Sequence, residues 1–179
     1  MVSPSKKSSI GAQEALDGTN PLWGEIGPAG NKTAYTHNCQ RCTFAYELRA
    51  RGYDVEATDY KGDDAIVNGW RRAFEGMNYE KVGARTKSQM PDKVKNKMME
   101  YGEGSRAIVY VAWEGGKAHV FNVLYNNGRF ESVDPQTGRT NVIGDYSGRC
   151  KPTKTLRARV DNLQPSRLYL DGAIKAKGR

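Results

Sequence analysis

The chain is poor in the residues that most often build metal centres and covalent staples, with three cysteines and two histidines in 179 residues. Cys39, Cys42 and Cys150 are odd in number and too few for a disulfide scaffold, so at least one is expected as a free thiol. A zinc site needs four ligands. Beside the Cys39/Cys42 pair only Cys150, His37 and His119 remain, at spacings that suit no such site. A redox CxxC motif would follow a strand in a βαβ unit, and no such unit is predicted. No apolar run approaches the roughly 18 residues of a membrane helix, and Met1 to Gly18 lacks the apolar middle of a secretory signal. A soluble protein is expected, exported only by another route or as part of a larger parent. Internal repeats and low-complexity blocks are also missing.

What is present is a basic chain with enough apolar content, 37 %, for one compact domain. Lys and Arg outnumber Asp and Glu by 28 to 20, and the net charge of +8 attracts acidic partners: nucleic acid, anionic lipid or acidic protein. Residues 1–18, rich in Ser, Lys and Gly, read as a disordered arm or linker, 19–165 as the folded domain, and 166–179 as a basic tail, mobile after Asp171. Between Asn20 and Gly30 the Pro and Gly spacing excludes long elements, while Trp23 and Tyr35 are expected to anchor this stretch on a core.

Phe44, Ala45 and Leu48 share one helical stripe that stops before Gly52, which predicts a helix over 43–51. A strand is predicted over 53–57. Ile66, Trp70 and Phe74 predict a second helix over 65–74, and Pro91 with Val94, Met98 and Met99 a third over 91–99. After Gly104 the segments 107–113, 117–125 and 129–134 are rich in Val, Ile, Phe and Tyr. Gly115-Gly116 and Asn126-Asn127-Gly128 separate them, so two consecutive hairpins are expected, with a further strand over 155–160. Helices first and a strand meander after them indicate an α+β domain.

The reactive residues fall at the ends of these elements. A thiol with a pKa of roughly 8.5 is only a few per cent thiolate at neutral pH, so a nucleophilic cysteine needs a positive environment. A helix N-terminus supplies one, and its N–H groups also suit an oxyanion. Cys39 and Cys42 lie just before or at the start of the predicted 43–51 helix. With a two-residue turn at Asn126-Asn127, residue 119 lies opposite 134; with the turn at Asn127-Gly128 it lies opposite 136. Both registers place His119 on the sheet face of Asp134 and Gln136, because side chains alternate with period two. An Asp or Gln beside an imidazole fixes its tautomer and orientation, the third role in a Cys-His-Asp triad. Taken singly, a strand histidine is more often packed than catalytic, and a CxxC thiol is often buried. The combination is what points to thiol chemistry, with no cofactor and no metal.

The segments Asn38-Cys39-Gln40-Arg41-Cys42, Ala45 to Arg49, Arg51 to Val55, Ala118 to Val123 and Val133-Asp134-Pro135-Gln136-Thr137-Gly138 resemble the papain-fold toxin family of bacterial glutamine deamidases, over about residues 20–160. The resemblance implies a papain-like fold in which N-terminal helices, one carrying the cysteine, pack on an antiparallel meander carrying His119 and Asp134. It implies a hydrolase that deamidates glutamine side chains of a target protein, as an effector domain of a polymorphic toxin or a phage-associated protein made in the bacterial cytoplasm, with an immunity protein as partner. The stretch of 77 to 80 residues between the cysteines and His119 departs from the pattern and reads as an elaboration.

Several alternatives stay open in the sequence. A cysteine protease or transglutaminase would use the same residues, and a non-catalytic binding module of a phage particle or toxin would use the fold alone. Nucleic acid is disfavoured, because Arg71-Arg72, Lys93 to Lys97 and Lys175 to Arg179 are interspersed with acids and lack interleaved aromatics. Asn38 is placed to cap the helix, and Gln136 to orient His119, to donate to an oxyanion, or simply to turn the chain. Cys39 is the favoured nucleophile, since the layout around it resembles the start of bacteriocin-processing peptidases. Cys42 is the alternative, because Cys42-Thr43-Phe44-Ala45 resembles the segment after the nucleophile in papain.

Overall fold

The computed structural model describes residues 12–62 and 69–177. Within them the chain folds as two units, one holding the described residues up to Glu75, Pro135–Gly138 and those from Gln164 onward, the other Gly76–Asp134 and Arg139–Leu163.

Two buried arginines organise the first unit. Helix α2, Cys39–Ala50, is buried continuously from Arg41 to Arg49. It begins four residues earlier than its apolar stripe predicts and stops at Gly52, whose φ of 96° closes the helix. The Gly52 N–H bonds Arg49 O and the Tyr53 N–H bonds Leu48 O, satisfying the last carbonyls in a Schellman arrangement. Arg49 donates from Nε to Ala15 O and from Nη2 to Glu14 O, both at 2.9 Å, which fixes helix α1, Ala12–Asp17. A β-carbon on Gly18 would lie 2.2 Å from Arg49 Nη2, so this close approach requires glycine. Arg41 Nη1 donates to Gly172 O at 2.9 Å, at the end of helix α5, Arg167–Gly172. Strand β1, Val55–Ala57, pairs antiparallel with strand β8, Ile174–Ala176. Phe44 packs against Phe74 and against the edge of Tyr169.

These contacts correct two expectations. Residues 12–17 belong to no disordered arm, because Ala15 and Leu16 are buried and Arg49 holds the backbone there. Nor is the chain mobile after Asp171: Ala173 is buried, and residues 174–176 form a strand that Lys175 braces with a 3.0 Å contact to Glu56. The helix predicted over 65–74 falls partly on residues 63–68, outside the described residues; the rest holds a single 3-10 turn, Trp70–Arg72. Tyr35 is buried as expected, but Trp23, expected to anchor the same stretch on a core, is 51 % exposed.

The second unit is a six-stranded antiparallel sheet in the order β2-β7-β3-β4-β5-β6. Its centre is β3 (Ser105–Ala112), β4 (Ala118–Asn126) and β5 (Arg129–Asp134), flanked by β2 (Glu80–Lys81), β7 (Leu156–Arg159) and β6 (Arg139–Thr140). The β4–β5 turn is Asn127-Gly128, since Asn126 pairs with Arg129. Both turn residues have positive φ, 52° and 70°, the conformation a tight hairpin demands. Glu103 caps it by accepting both turn N–H groups, at 2.7 and 2.6 Å. Helix α3, Gln89–Tyr101, buries Met90, Val94 and Met98 in the cluster that contains Val109, Phe121 and Val123. Met99, expected in that stripe, is 47 % exposed, and Met90 takes its place because a 3.6-residue period carries the stripe back a turn. Helix α4, Ile143–Arg149, adds Tyr146 to the same cluster. The α+β class and the antiparallel meander stand as read from the sequence.

Candidate functional site

In the first unit, Cys39 opens α2 and is half-buried, while Cys42, one turn on, is fully buried beside Ala45 and Ala57. The N–H groups of Arg41 and Cys42 bond Asn38 O at 2.9 and 3.0 Å, so those of Cys39 and Gln40 precede the first intrahelical bond. Asn38 occupies the N-cap position, yet its side chain makes no cap bond. Its amide serves a buried network instead. Asn38 Nδ2 donates to Asn20 Oδ1 at 3.0 Å and to Thr58 O at 3.1 Å, and Asn38 Oδ1 accepts from Gln136 Nε2 at 3.3 Å. Asn20 Nδ2 in turn donates to Tyr35 O and Gln136 O, at 3.0 and 2.8 Å. Every member of this cluster is neutral, so it fixes the backbone before Cys39 without adding charge.

In the second unit, His119 Nε2 lies 2.8 Å from Asp134 Oδ2. The Asn127-Gly128 turn sets a register in which Asp134 falls opposite Phe121, on the same face and diagonal to His119. His119 thus shares the helix-covered face with Phe121 and Val123 but sits at the start of β4, where the cover thins. Its side chain is 11 % exposed and that of Asp134 only 1 %. An ionised carboxylate only accepts, so Nε2 carries the hydrogen in this pair and proton exchange runs through Nδ1.

Aromatic rings enclose the pair. The Trp113 ring is near-parallel to the His119 ring at 17° with centroids 6.1 Å apart, and Tyr146 meets it edge-on at 90° and 5.5 Å. The Tyr146 hydroxyl donates to Asp134 Oδ2. Burial, reinforced by the Asp134 charge, pushes the Tyr146 phenol well above its ordinary value, so it stays protonated. Arg149 spans the rings of Trp113 and Tyr146, at 4.9 and 5.4 Å from their centroids. Tyr146, Trp113 and Arg149 were not singled out in the sequence. Only the three-residue spacing of Ile143 and Tyr146 hinted at an inward face, and Gly144 and Gly148 disguised the helix.

The structure therefore joins His119 to Asp134 and Asn38 to Gln136. Gln136 contacts the residue before Cys39 in its own unit. Among the described residues no group of three or more His, Cys, Asp or Glu is placed to hold a metal ion, and no helix is long and apolar enough to cross a membrane. Burial raises the Cys150 thiol above its ordinary value, which keeps it inert.

Residues 37–139, more than half of the chain and spanning Asn38 through Gln136, match the family described as papain fold toxin 1, glutamine deamidase. The chain belongs to that family. No curated protein and no solved structure matches it. Membership assigns the papain-like α+β fold and a cysteine-hydrolase type of enzyme, and places the chain among toxins that act on target proteins. Tyr146 and Arg149 lie beyond the matched residues.

Proposed function

We propose that this protein hydrolyses the side-chain amide of glutamine in a target protein, with Cys39 as nucleophile, His119 as its acid and base, and Asp134 orienting His119. The observation that carries this reading is the buried carboxylate on imidazole Nε2, because a merely packed histidine has no need of a desolvated charge. Half-burial of Cys39 at a helix start, against complete burial of Cys42, favours Cys39 as the attacking thiol.

In the reaction, the Cys39 thiolate adds to the amide carbon and a C–S bond forms, with the oxyanion held by backbone N–H groups at the start of α2. Imidazolium at His119 then protonates the nitrogen, the C–N bond breaks and ammonia leaves. The neutral imidazole next takes a proton from water, whose oxygen attacks the thioester. The C–S bond breaks, giving glutamate and regenerating the thiolate–imidazolium pair. Asp134 stabilises the imidazolium without taking its proton.

The net charge of +8 favours a target with an acidic surface, and binding to it weakens as salt shortens the Debye length. On this reading the domain is a delivered effector of a polymorphic toxin or phage particle, held in check by an immunity protein.

The test is mass spectrometry of a bacterial lysate incubated with the protein or with its His119→Ala variant, together with an ammonia assay. Gln→Glu conversion in chains of unchanged length, with ammonia and only with the active protein, is expected. New peptide termini would replace this reading with a protease, amine incorporation with a transglutaminase, and no covalent change with a binding module.

A further inference from the structure

Asp134 Oδ2 serves two donors, and only one of them belongs to the proposed triad. We propose that Tyr146 is a positioning residue: by donating its hydroxyl to the oxygen that binds His119 Nε2, it sets how tightly His119 holds its proton. The proposal rests on the reading of His119 as the proton carrier.

The Tyr146 ring has no freedom to point its hydroxyl elsewhere. Its edges meet Phe121 and Trp113, both at 5.3 Å and steep angles, and the His119 ring at 5.5 Å. The side chain is buried in the sheet unit's core, so no solvent replaces the bond it makes. Because the phenol stays protonated, it donates throughout the working pH range. A second donor on Oδ2 draws off part of the carboxylate charge that would otherwise stabilise the imidazolium. Without it, His119 should keep its proton to higher pH.

Among the described residues, the charged or titratable groups around this cluster include Arg149 and Asp145 on α4, Arg139 on β6, Cys150, and the Lys87–Glu114 pair, in contact at 2.6 Å. A Tyr146→Phe substitution changes none of them. Family membership is silent on the point, since the match ends at residue 139.

The experiment is an NMR titration of the two imidazoles in a Cys39→Ala background, where no thiolate couples to His119 and exposed His37 is an internal reference. Tyr146→Phe should raise the His119 midpoint by about half a unit to one unit, a fraction of the roughly 1–3 units an opposite charge at contact produces. His37 should not move. Added to Asp134→Asn, Tyr146→Phe should have no further effect on His119. With Cys39 restored, the alkaline limb of kcat should rise in pH by the same amount. An unmoved His119 midpoint, or an equal shift in the Asp134→Asn background, would overturn the proposal.

A second measurement needs no change at Tyr146. Its phenol should ionise at lower pH in Asp134→Asn than in the parent protein, and an unaltered ionisation would equally overturn the proposal. The expected titration shifts in a protein that releases no ammonia would uphold the positioning role while sinking the deamidase reading.

Discussion

The surroundings of Cys39 and of His119 are built from opposite materials. Around Asn38, four amide-to-oxygen bonds of 2.8–3.1 Å and the Gln136 contact at 3.3 Å tie neutral groups together. Around His119, a buried carboxylate, a phenol, an indole and a guanidinium meet within one cluster. A cysteine at a helix start already has the field it needs from backbone dipoles, so the rest of its setting has only to hold shape. An imidazole that must take and return a proton needs its charge balanced, which requires a buried anion and control of that anion. The same division separates the experiments that should remove activity from those that should only loosen the protein.

The largest effect is expected at the proposed nucleophile. Cys39→Ser should lower ammonia release by at least about 10³-fold, while Cys42→Ser keeps most of the rate and loses stability, because it buries a hydroxyl among Ala45 and Ala57. Parallel assays with iodoacetamide labelling check this, and the reverse pattern would make Cys42 the attacking thiol. Next in size, Asp134→Asn should cost on the order of 10²–10⁴-fold in kcat, by leaving the imidazolium unbalanced. If turnover is unchanged, the charged half of the comparison is only structural.

The neutral half should respond in stability first. Asn38→Ala removes the amide shared by Asn20, Thr58 and Gln136, and should lower unfolding free energy by about 1–3 kcal/mol in urea titrations. A loss of activity without loss of stability would show that Asn38 takes part in the chemistry. The smallest effect concerns a charge of the sheet unit away from His119. Burial raises the Asp161 carboxyl, but bonds from Arg159 and the Arg106 N–H outweigh it and hold it below its ordinary 3.8. A depressed folded value means the unfolded chain binds the proton first as pH falls, so this contribution is complete above 3.8 and fades as pH drops through the folded value. Thermal melts of the parent and Asp161→Asn should therefore differ at pH 7, and the difference should shrink as pH falls below 3.8.

Much of this was legible because local rules carried it. Gly52 marked the end of α2, and although the turn could fall at Asn126-Asn127 or Asn127-Gly128, alternation put His119 and Asp134 on one face in either register. What escaped depended on residues far apart in sequence. Nothing local in the sequence marks Arg41 and Arg49 as buried, yet they are, and they hold the carbonyls of Gly172, Glu14 and Ala15. Asn38 matched the helix-cap rule by position, but its amide answers to Asn20, Thr58 and Gln136. Tyr146 escaped because its meaning lies in a contact with a residue twelve positions away, in a helix too short to show a period.

Strand β8 has a practical consequence. It is the strand neighbour of β1, and its Ile174 covers the small cluster of Cys42, Ala45 and Ala57 behind the helix that begins with Cys39. A protease that nicked the chain after Asp171 would strip away that cover while sparing every residue proposed to react. Silencing such a toxin would then take a single cut in a stretch that looks dispensable, and an antidote could work from behind the helix without entering the active site.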